Sequence, residues 1–547
     1  MHLNIPLALA YLSAANGLSK NLCGGSCSDN MVLQHDRAVI WGFQEPAEEI
    51  LTVCLQSTCD TVLVGDDGFW LFQFPPTPPS QNNTITISAS PNQTTTLQNV
   101  AFGTVILCSG QSNMELELDQ VHDGASVIQD ADIYSESVRA VKVFHTSKPN
   151  TTMNELTIGH DWDGDEATNC STKCGSDGWF KTESSCVELA TMSAICYAHA
   201  VAIFNKLNNS VPIGLIQVSW GGTRIESWMS PSAVASSCEA ESEGTARCGP
   251  AFGGEDERMN STNSGNLCSA NYNGMLHPLR FMQLTAMVWY QGESNLDTFE
   301  DSALSGPMNY ACRFPTSVQD WRNTFNQQNL PFVYVELAAC DNYPSAQINE
   351  ISYPDMRMAQ RSVLTLNKTN FVTAIDLGNE DHGVHSVIKI PLAERVAVAV
   401  VELAFDGKEQ TSPKVLSTTA SSITFNSGEM YFDDVMFATE GCANSHPFEV
   451  KINDQWVEVN ATIDSNGVVQ LDNDRGVEVR LNWSGFPQCS LYSKNNIAPV
   501  APLRMKLTDV DDADCHDVCE VSESLQQCCS EFESCVAHAG CLTKPLI

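Results

Sequence analysis

Between Phe102 and Phe405 the chain alternates short, almost wholly apolar runs with longer stretches of helical periodicity. The apolar runs include GTVILCSG, VPIGLIQVSWGG, LTAMVWYQGE, LPFVYVELA and FVTAID, and the helical stretches include TMSAICYAHAVAIFNKLN and PLAERVAVAVVELA. Strands that are apolar on both faces are typical of parallel sheets covered by helices on both sides. The pattern therefore predicts an α/β unit with a parallel sheet over residues 101–405.

β-rich regions are predicted on both sides of this unit. Residues 20–100 contain short alternating segments separated by Gly-Asp, Pro and Asn clusters, and Cys54 and Cys59 are spaced for a disulfide across a hairpin. Residues 406–508 return to strand-like segments. Residues 509–547 form an acidic tail with six cysteines, which predicts a small module held together by disulfides.

The beginning of the sequence and its cysteines indicate the secretory pathway. Residues 1–17 contain a short apolar stretch followed by small residues, which predicts a signal peptide even though the basic n-region is missing. The 22 cysteines and the nine N-x-S/T sequons suit an oxidising, glycosylating compartment. Since no later run of about 18 apolar residues occurs, no membrane span is predicted. We expect a secreted or lysosomal protein, and the sequence leaves its oligomeric state open.

The net charge argues against a nucleic-acid-binding protein, and the spacing of the histidines argues against a metal site. A formal net charge of -38 leaves no basic face to neutralise phosphates, which argues against a nucleic-acid partner. His382 and His385 are three residues apart, but no third metal ligand lies near them in the sequence. We therefore expect neither a metal nor another cofactor.

Polar residues follow three of the apolar runs, where the predicted strands end. Ser112 lies in SGQSNM, Gly222 in SWGGTR, and YQGESN contains Gln291, Glu293 and Asn295. Because ligands bind beyond the carboxyl ends of strands in open α/β sheets, we expect these residues to meet at one edge. A serine exposed there, beside backbone N–H groups, can act as a nucleophile. Taken alone, SGQSNM is interpreted equally well as an ordinary Ser/Asn turn.

A candidate base follows the fifth apolar run, in the segment DLGNEDHGVHSVIK. His385 lies there between a predicted strand and a predicted helix, at the same edge of the sheet as Ser112. A histidine in that place can take the serine proton, and a nearby carboxylate would orient its imidazole. Asp381 is the first candidate for that carboxylate and Asp376 is the alternative, because spacing does not decide between them.

Five segments in this order resemble the sialate O-acetylesterase family within the SGNH hydrolases: LCSGQSNM, IGLIQVSWGGTRIESWMS, NGMLHPL, VWYQGESN and DLGNEDHGVHSVIK. Together with SDNMVLQ, VIWGF and FPQCSLYSKNNIAPVAPLR, the likeness covers roughly residues 28–504. The resemblance implies a flavodoxin-like SGNH hydrolase domain in which Ser112 is the nucleophile and His385 is the base. The last segment departs from the family, because relatives commonly place an acidic residue shortly before His-Pro and this chain has GVHS.

The resemblance also implies how the oxyanion would be held. The N–H groups of Ser112 and Gly222 are expected to form an oxyanion hole, together with the side chain of Gln291 or Asn295.

The implied activity is hydrolysis of acetyl esters on sugars, with O-acetylated sialic acid as the first choice of substrate. Arg224 and Glu293 are candidate substrate-binding residues, and Arg224 offers a cation for the carboxylate of a sialic acid. An acetylated polysaccharide such as xylan is an alternative substrate, since substrate choice depends on loops. A catalytically inactive carbohydrate-binding homologue and acetyl transfer to another sugar are the remaining alternatives.

Overall fold

The computed structural model describes most of the chain between residues 23 and 507. The described residues are 23, 27–44, 49–90, 93–148, 150–154, 178–237, 265–296, 306–342, 352–473 and 475–507. The expected signal peptide and the expected cysteine-rich tail lie outside them. Within the described part of the chain, no helix combines the length and the apolar character needed to cross a bilayer.

The N-terminal region is rich in β-strands, as expected, and all its pairings are antiparallel except that of β1, which runs parallel to β7. Its strands are β1 (Val32–Gln34), β2 (Val39–Phe43), β3 (Ile50–Leu55), β4 (Thr58–Leu63), β5 (Phe69–Gln73), β6 (Ser80–Ser90) and β7 (Gln93–Gly110). β3 pairs with β4 and β6, and β6 pairs with the first half of β7. Cys54 and Cys59 are opposite each other in the β3–β4 hairpin and form the predicted disulfide.

The central region contains the expected parallel sheet. After β7 come α1 (Ser112–Glu115), α2 (Gly124–Gln129), β8 (Val138–Lys142), β9 (Phe180–Lys181), α3 (Val187–Ala190), α4 (Ala194–Lys206), β10 (Ile213–Ser219), α5 (Pro231–Ser236), β11 (Ala286–Tyr290), α6 (Pro307–Thr324), β12 (Phe332–Glu336), α7 (Ser352–Gln360), β13 (Thr369–Thr373) and α8 (Ile390–Ala404). The strand order is β13-β12-β11-β7-β10-β8-β9, and only β9 is antiparallel to its neighbour.

Helices bury the faces of this sheet. All residues of β10, β11 and β12 are buried, which is why these runs are apolar on both faces. Phe314 of α6 packs against Phe332 and Tyr334 of β12, and α4 and α8 pack against each other. Cys108 of β7 forms a disulfide with Cys196 of α4, which fixes that helix to the strand leading to Ser112.

The winding of the sheet places a crevice at the end of β7. The chain first builds β8 and β10 on one side of β7 and then crosses to β11, β12 and β13 on the other side. In a sheet wound this way, the carboxyl end of the strand at the reversal opens into the ligand-binding crevice. If the parallel strands β7, β8, β10, β11 and β12 are numbered 1 to 5 along the chain, their order in the sheet is 2-3-1-4-5. The flavodoxin order is 2-1-3-4-5, so the two differ in the place of the third strand.

The C-terminal region forms a β unit with a core of its own. Its strands are β14 (Val415–Thr418), β15 (Ser422–Phe425), β16 (Met430–Asp434), β17 (Phe448–Ile452), β18 (Gln455–Val459), β19 (Ala461–Ile463), β20 (Val469–Leu471), β21 (Glu478–Leu481), β22 (Cys489–Ser493) and β23 (Leu503–Lys506). Two four-stranded sheets, β14-β15-β20-β19 and β18-β17-β21-β23, enclose this core, and β16 pairs with β22. Cys442 and Cys489 form a disulfide within the unit.

Candidate active site

Ser112 lies at the carboxyl end of β7, on a turn that requires glycine. Gly110 has a φ of 144°, and a side chain on it would place Cβ 2.1 Å from the carbonyl oxygen of Tyr290 in β11. The close approach lets the Gln111 N–H donate to that same carbonyl at 3.0 Å. α1 then begins at Ser112 itself, so the serine is held at the edge of the sheet by the shape of this turn.

His385 meets Ser112 across this edge. It lies in the loop between β13 and α8, and its Nε2 is 2.8 Å from Ser112 Oγ. Partial burial and the positive charge of Lys389 lower the pKa of His385 below its ordinary value, while the charge of Asp381 opposes them. The imidazole is therefore neutral at pH 7 and can accept the serine proton.

Asn113, the residue after Ser112, connects the serine turn to the histidine loop. Its Nδ2 donates to the carbonyl oxygen of Val384 at 2.9 Å and to Glu293 Oε1 at 2.5 Å, and its Oδ1 accepts from Lys389 Nζ at 2.6 Å. Burial raises the pKa of Glu293 and lowers the pKa of Lys389 to about 7. The network therefore joins the residue after Ser112 to the residue before His385.

The network corrects the expectation for Glu293. Its side chain is buried and holds Asn113, so it does not reach a substrate in this arrangement. The sequence pattern failed here because it places Glu293 at the correct edge of the sheet but does not show the direction of the side chain. Arg224, the other candidate for substrate binding, is also largely buried, and its backbone N–H donates to Asn266 Oδ1 at 3.0 Å.

The two side chains expected in the oxyanion hole have partners within the protein. Gln291 Nε2 donates to the Thr223 carbonyl at 3.2 Å and to Asn295 Oδ1 at 2.6 Å, which uses both of its N–H groups. In this conformation Gln291 thus points its amide N–H groups at protein acceptors, and its role in the oxyanion hole stays a prediction. Asn295 is anchored as well, because its Nδ2 donates to Glu226 Oε2 at 3.0 Å. Its role in the oxyanion hole stays a prediction.

The backbone N–H groups of Gly222 and Ser112 are the other candidates for binding the oxyanion. Gly222 has a φ of 69°, and a Cβ on it would meet nothing within 4 Å, so the site in front of it is open. Among the described residues, no acceptor is recorded for the N–H groups of Gly222 and Ser112. Gly221 lies beside the serine, since a Cβ on it would be 3.3 Å from Ser112 Cβ. Both N–H groups therefore stay candidates for binding an oxyanion at Ser112.

Glu115 fixes this glycine segment to the serine helix, and the sequence interpretation missed it. Its Oε2 accepts the Gly221 N–H at 2.6 Å, and its Oε1 lies 2.6 Å from His145 Nε2. The His145 ring in turn stacks on Trp220 with centroids 4.5 Å apart. The spacing in the sequence could have revealed Glu115, because it follows Ser112 by three residues and so lies on the same face of a helix.

Neither carboxylate proposed from the sequence is recorded in a hydrogen bond with His385 among the described residues. Asp381 Oδ1 accepts from Asn379 Nδ2 at 2.7 Å and from the Gly383 N–H at 2.8 Å. Asp376 is buried and paired with Arg395 through two contacts of 2.7 Å. Asp381 thus shapes the turn before His385 and acts on the imidazole through its charge.

We expect Asp381→Asn to lower kcat/KM by less than about 10²-fold, well below the roughly 10⁴-fold loss when an aspartate bonded directly to the catalytic histidine is replaced. The amide oxygen can still accept the Gly383 N–H, so the turn is kept and only the charge is lost. That charge raises the pKa of His385, so the acid limb of the pH profile should move to lower pH. Asp454→Asn, at an exposed carboxylate of the C-terminal unit, is the control. A loss near 10⁴-fold would mean that Asp381 bonds to His385 in the working enzyme.

Lys389→Met should move the same acid limb in the opposite direction. The charge of Lys389 lowers the pKa of His385 below its ordinary value of 6.5. Because the pKa of Lys389 is about 7, the lysine is mostly protonated over the pH range in which His385 titrates. Without that charge the histidine protonates at a higher pH, so kcat/KM falls at mildly acidic pH. The pH dependence of kcat/KM measures this shift, and Lys368→Met, at an exposed lysine before β13, is the control. An acid limb that stays in place would contradict the electrostatic role of Lys389.

Comparison with known proteins gives a consistent family match. Residues 103–402 match a family model described as carbohydrate esterase, sialic acid-specific acetylesterase. The sialate O-acetylesterase of Pongo abelii is 26% identical over 527 residues, which cover 88% of this chain and 92% of that protein. The sialate O-acetylesterase of Mus musculus is 27% identical over 562 residues, covering 91% and 96%. The crystal structure of a carbohydrate acetylesterase from Xanthomonas citri covers 88% of this chain and 99% of its own, with a TM-score of 0.70 and 22% identity, and so shares the fold.

Proposed function

This chain belongs to the sialic acid-specific acetylesterase family of carbohydrate esterases, and on that premise we propose that it removes O-acetyl groups from sugars with Ser112 as nucleophile and His385 as general base. The observation that carries the proposal is the 2.8 Å distance between Ser112 Oγ and His385 Nε2 at the crevice of the parallel sheet. A nucleophile and a base within hydrogen-bond distance are the arrangement that acyl transfer to serine requires.

The reaction proceeds through an acetyl-enzyme. His385 takes the proton of Ser112 as the serine oxygen attacks the acetyl carbonyl carbon, and the N–H groups of Ser112 and Gly222 bind the resulting oxyanion. When the intermediate collapses, the C–O bond to the sugar breaks and His385 gives its proton to the departing sugar oxygen. Water, deprotonated by His385, then attacks the acetyl carbon, and the bond to Ser112 Oγ breaks to release acetate while His385 returns the proton to the serine oxygen. Loss of one oxyanion donor typically costs about 2.7–4 kcal/mol of barrier.

O-acetylated sialic acid is the first substrate to test, because the family description and the names of the mammalian relatives both specify sialate. Acetylated xylan is the second, because the fold alone does not set the sugar. We also propose passage through the secretory pathway. The disulfides that join Cys108 to Cys196 and Cys442 to Cys489 support it, since such bonds form and persist in oxidising compartments.

Acetate release from a small panel tests this function. The purified protein is given p-nitrophenyl acetate, O-acetylated sialic acid and acetylated xylan, and acetate is measured with and without an added sugar acceptor. We expect acetate from the first two substrates and no acetylated acceptor. Release from xylan alone would change the assigned sugar, and an acetylated acceptor would indicate a transferase. No release from any substrate would contradict the esterase assignment and favour a carbohydrate-binding protein without activity.

A further inference from the structure

The histidine loop, residues 374–389 between β13 and α8, packs against the C-terminal β unit. Phe486 of that unit is buried, and its ring stacks on the ring of His382 with centroids 3.8 Å apart and planes at 9°. The same ring lies directly on the loop backbone at Gly378, where a Cβ would come within 2.3 Å of Phe486 Cε2. Phe486 therefore supports the loop at two positions, seven and three residues before His385.

The turn that carries Phe486 is itself fixed to the central sheet. Arg357 of α7 is fully buried and donates to the carbonyl oxygens of Ser484 at 2.6 Å and Gly485 at 2.8 Å. The same guanidinium donates to the carbonyls of Leu337 and Ala338, directly after β12, both at 2.9 Å. Burial lowers the pKa of Arg357 to about 10, so it stays charged at neutral pH. The turn thus cannot shift relative to the end of β12 without breaking charged hydrogen bonds.

A second segment of the C-terminal unit also contacts the histidine loop. The N–H of Met436 donates to the carbonyl oxygen of Asp376 at 3.3 Å, and the carbonyl oxygen of Phe437 lies 3.4 Å from His382 Nε2. The other ring nitrogen of His382 is 3.1 Å from Asp341 Oδ1. His382 has a φ of 57°, a backbone conformation that residues other than glycine seldom adopt without support from their surroundings.

We propose that Phe486 is a positioning residue: the C-terminal β unit, through this ring, holds the histidine loop so that His385 Nε2 meets Ser112 Oγ. The inference rests on the proposed role of His385 as the base. Among the described residues, the one hydrogen bond recorded for the His385 side chain is that to Ser112, so the packing of the preceding loop residues has to set its place. Accuracy matters here, because a misplacement of about 1 Å can cost on the order of 10²-fold in rate. Simple burial of a phenylalanine for stability is the competing explanation.

Two phenylalanines of the same unit separate these explanations. Phe486→Ala removes the ring against the loop, whereas Phe448→Ala removes a buried ring from the core of the unit, beside Phe432. Both changes should lower the melting temperature. At a temperature where both variants are folded by circular dichroism, we expect Phe486→Ala to lower kcat by about 10–100-fold with little change in KM. Phe448→Ala should keep kcat within about 2-fold, since the recorded contacts of Phe448 lie in the core of the C-terminal unit and none reaches the histidine loop among the described residues.

The pH profile provides a readout that loss of stability alone would not move. A displaced loop exposes His385 to more water, so its pKa should rise towards the ordinary value and the acid limb of kcat/KM should move to higher pH. The charges that act on His385, those of Lys389 and Asp381, are both still present in Phe486→Ala. Phe486→Leu keeps most of the apolar volume and should recover part of the lost kcat. It also serves as the test variant if Phe486→Ala does not fold.

Unchanged kcat and an unchanged acid limb in a folded Phe486 variant would overturn the positioning role while leaving the esterase assignment intact. An equal loss of kcat in Phe448→Ala would overturn it as well, because the effect would then follow stability alone. Absence of acetate release from the unmodified protein would instead overturn the proposed function, and the positioning role with it.

Discussion

Ser112→Ala should abolish acetate release, with a loss of kcat of about 10⁴-fold or more, while the protein stays folded. The serine oxygen forms the acetyl-enzyme, and alanine offers no atom that could replace it. Ser112 is only half-buried and lies on a turn set by Gly110, so the change should leave the melting temperature almost unaltered. Acetate release from p-nitrophenyl acetate, followed beside thermal unfolding, measures both effects.

Ser126→Ala is the matched control for this experiment, because Ser126 is an exposed serine on α2 outside the site. It should retain full activity. If Ser112→Ala kept more than about a tenth of the kcat, the nucleophile would have to be another group, since loss of a catalytic serine is expected to be far larger.

His385→Ala should cause a loss of similar size, because the serine is a weak nucleophile without a base at 2.8 Å. The site left by the ring is exposed, so added imidazole can enter it and should restore part of the activity. In the unmodified protein the acid limb of kcat/KM should lie below pH 6.5, since the base must be neutral and its pKa is lowered. His446→Ala, at an exposed histidine of the C-terminal unit, is the control and should behave as the unmodified protein does.

An acid limb above pH 6.5, or a His385→Ala variant with nearly full activity, would contradict the assignment of the base. The combination of imidazole rescue and an unchanged melting temperature would separate a chemical role from a structural one.

The sequence was sufficient to predict the α/β sheet and the edge at which the candidate site lies. Apolar runs such as VILC and AMVWY mark strands buried on both faces, and the residue after each run is then placed at the carboxyl edge. For this reason Ser112 and His385, 273 residues apart, could be expected together, and the structure brings them within hydrogen-bond distance.

Side-chain direction could not be predicted in the same way. Gln291 and Glu293 are at the expected edge, but they turn inward to Thr223 and Asn113, because buried polar groups need partners that only the tertiary structure provides. The contact between Phe486 and the histidine loop likewise joins two regions about one hundred residues apart, and no periodicity in either one signals it.

The central claim, that Ser112 is the nucleophile, is tested most directly by labelling with a fluorophosphonate, which phosphonylates an activated serine oxygen with loss of fluoride. After proteolysis, mass spectrometry identifies the labelled peptide, and the remaining esterase activity is measured in parallel. We predict that the label lies on Ser112, that activity falls as labelling proceeds, and that Ser112→Ala takes up no label. An active protein whose label lies on another serine, or whose activity survives full labelling of Ser112, would contradict this account.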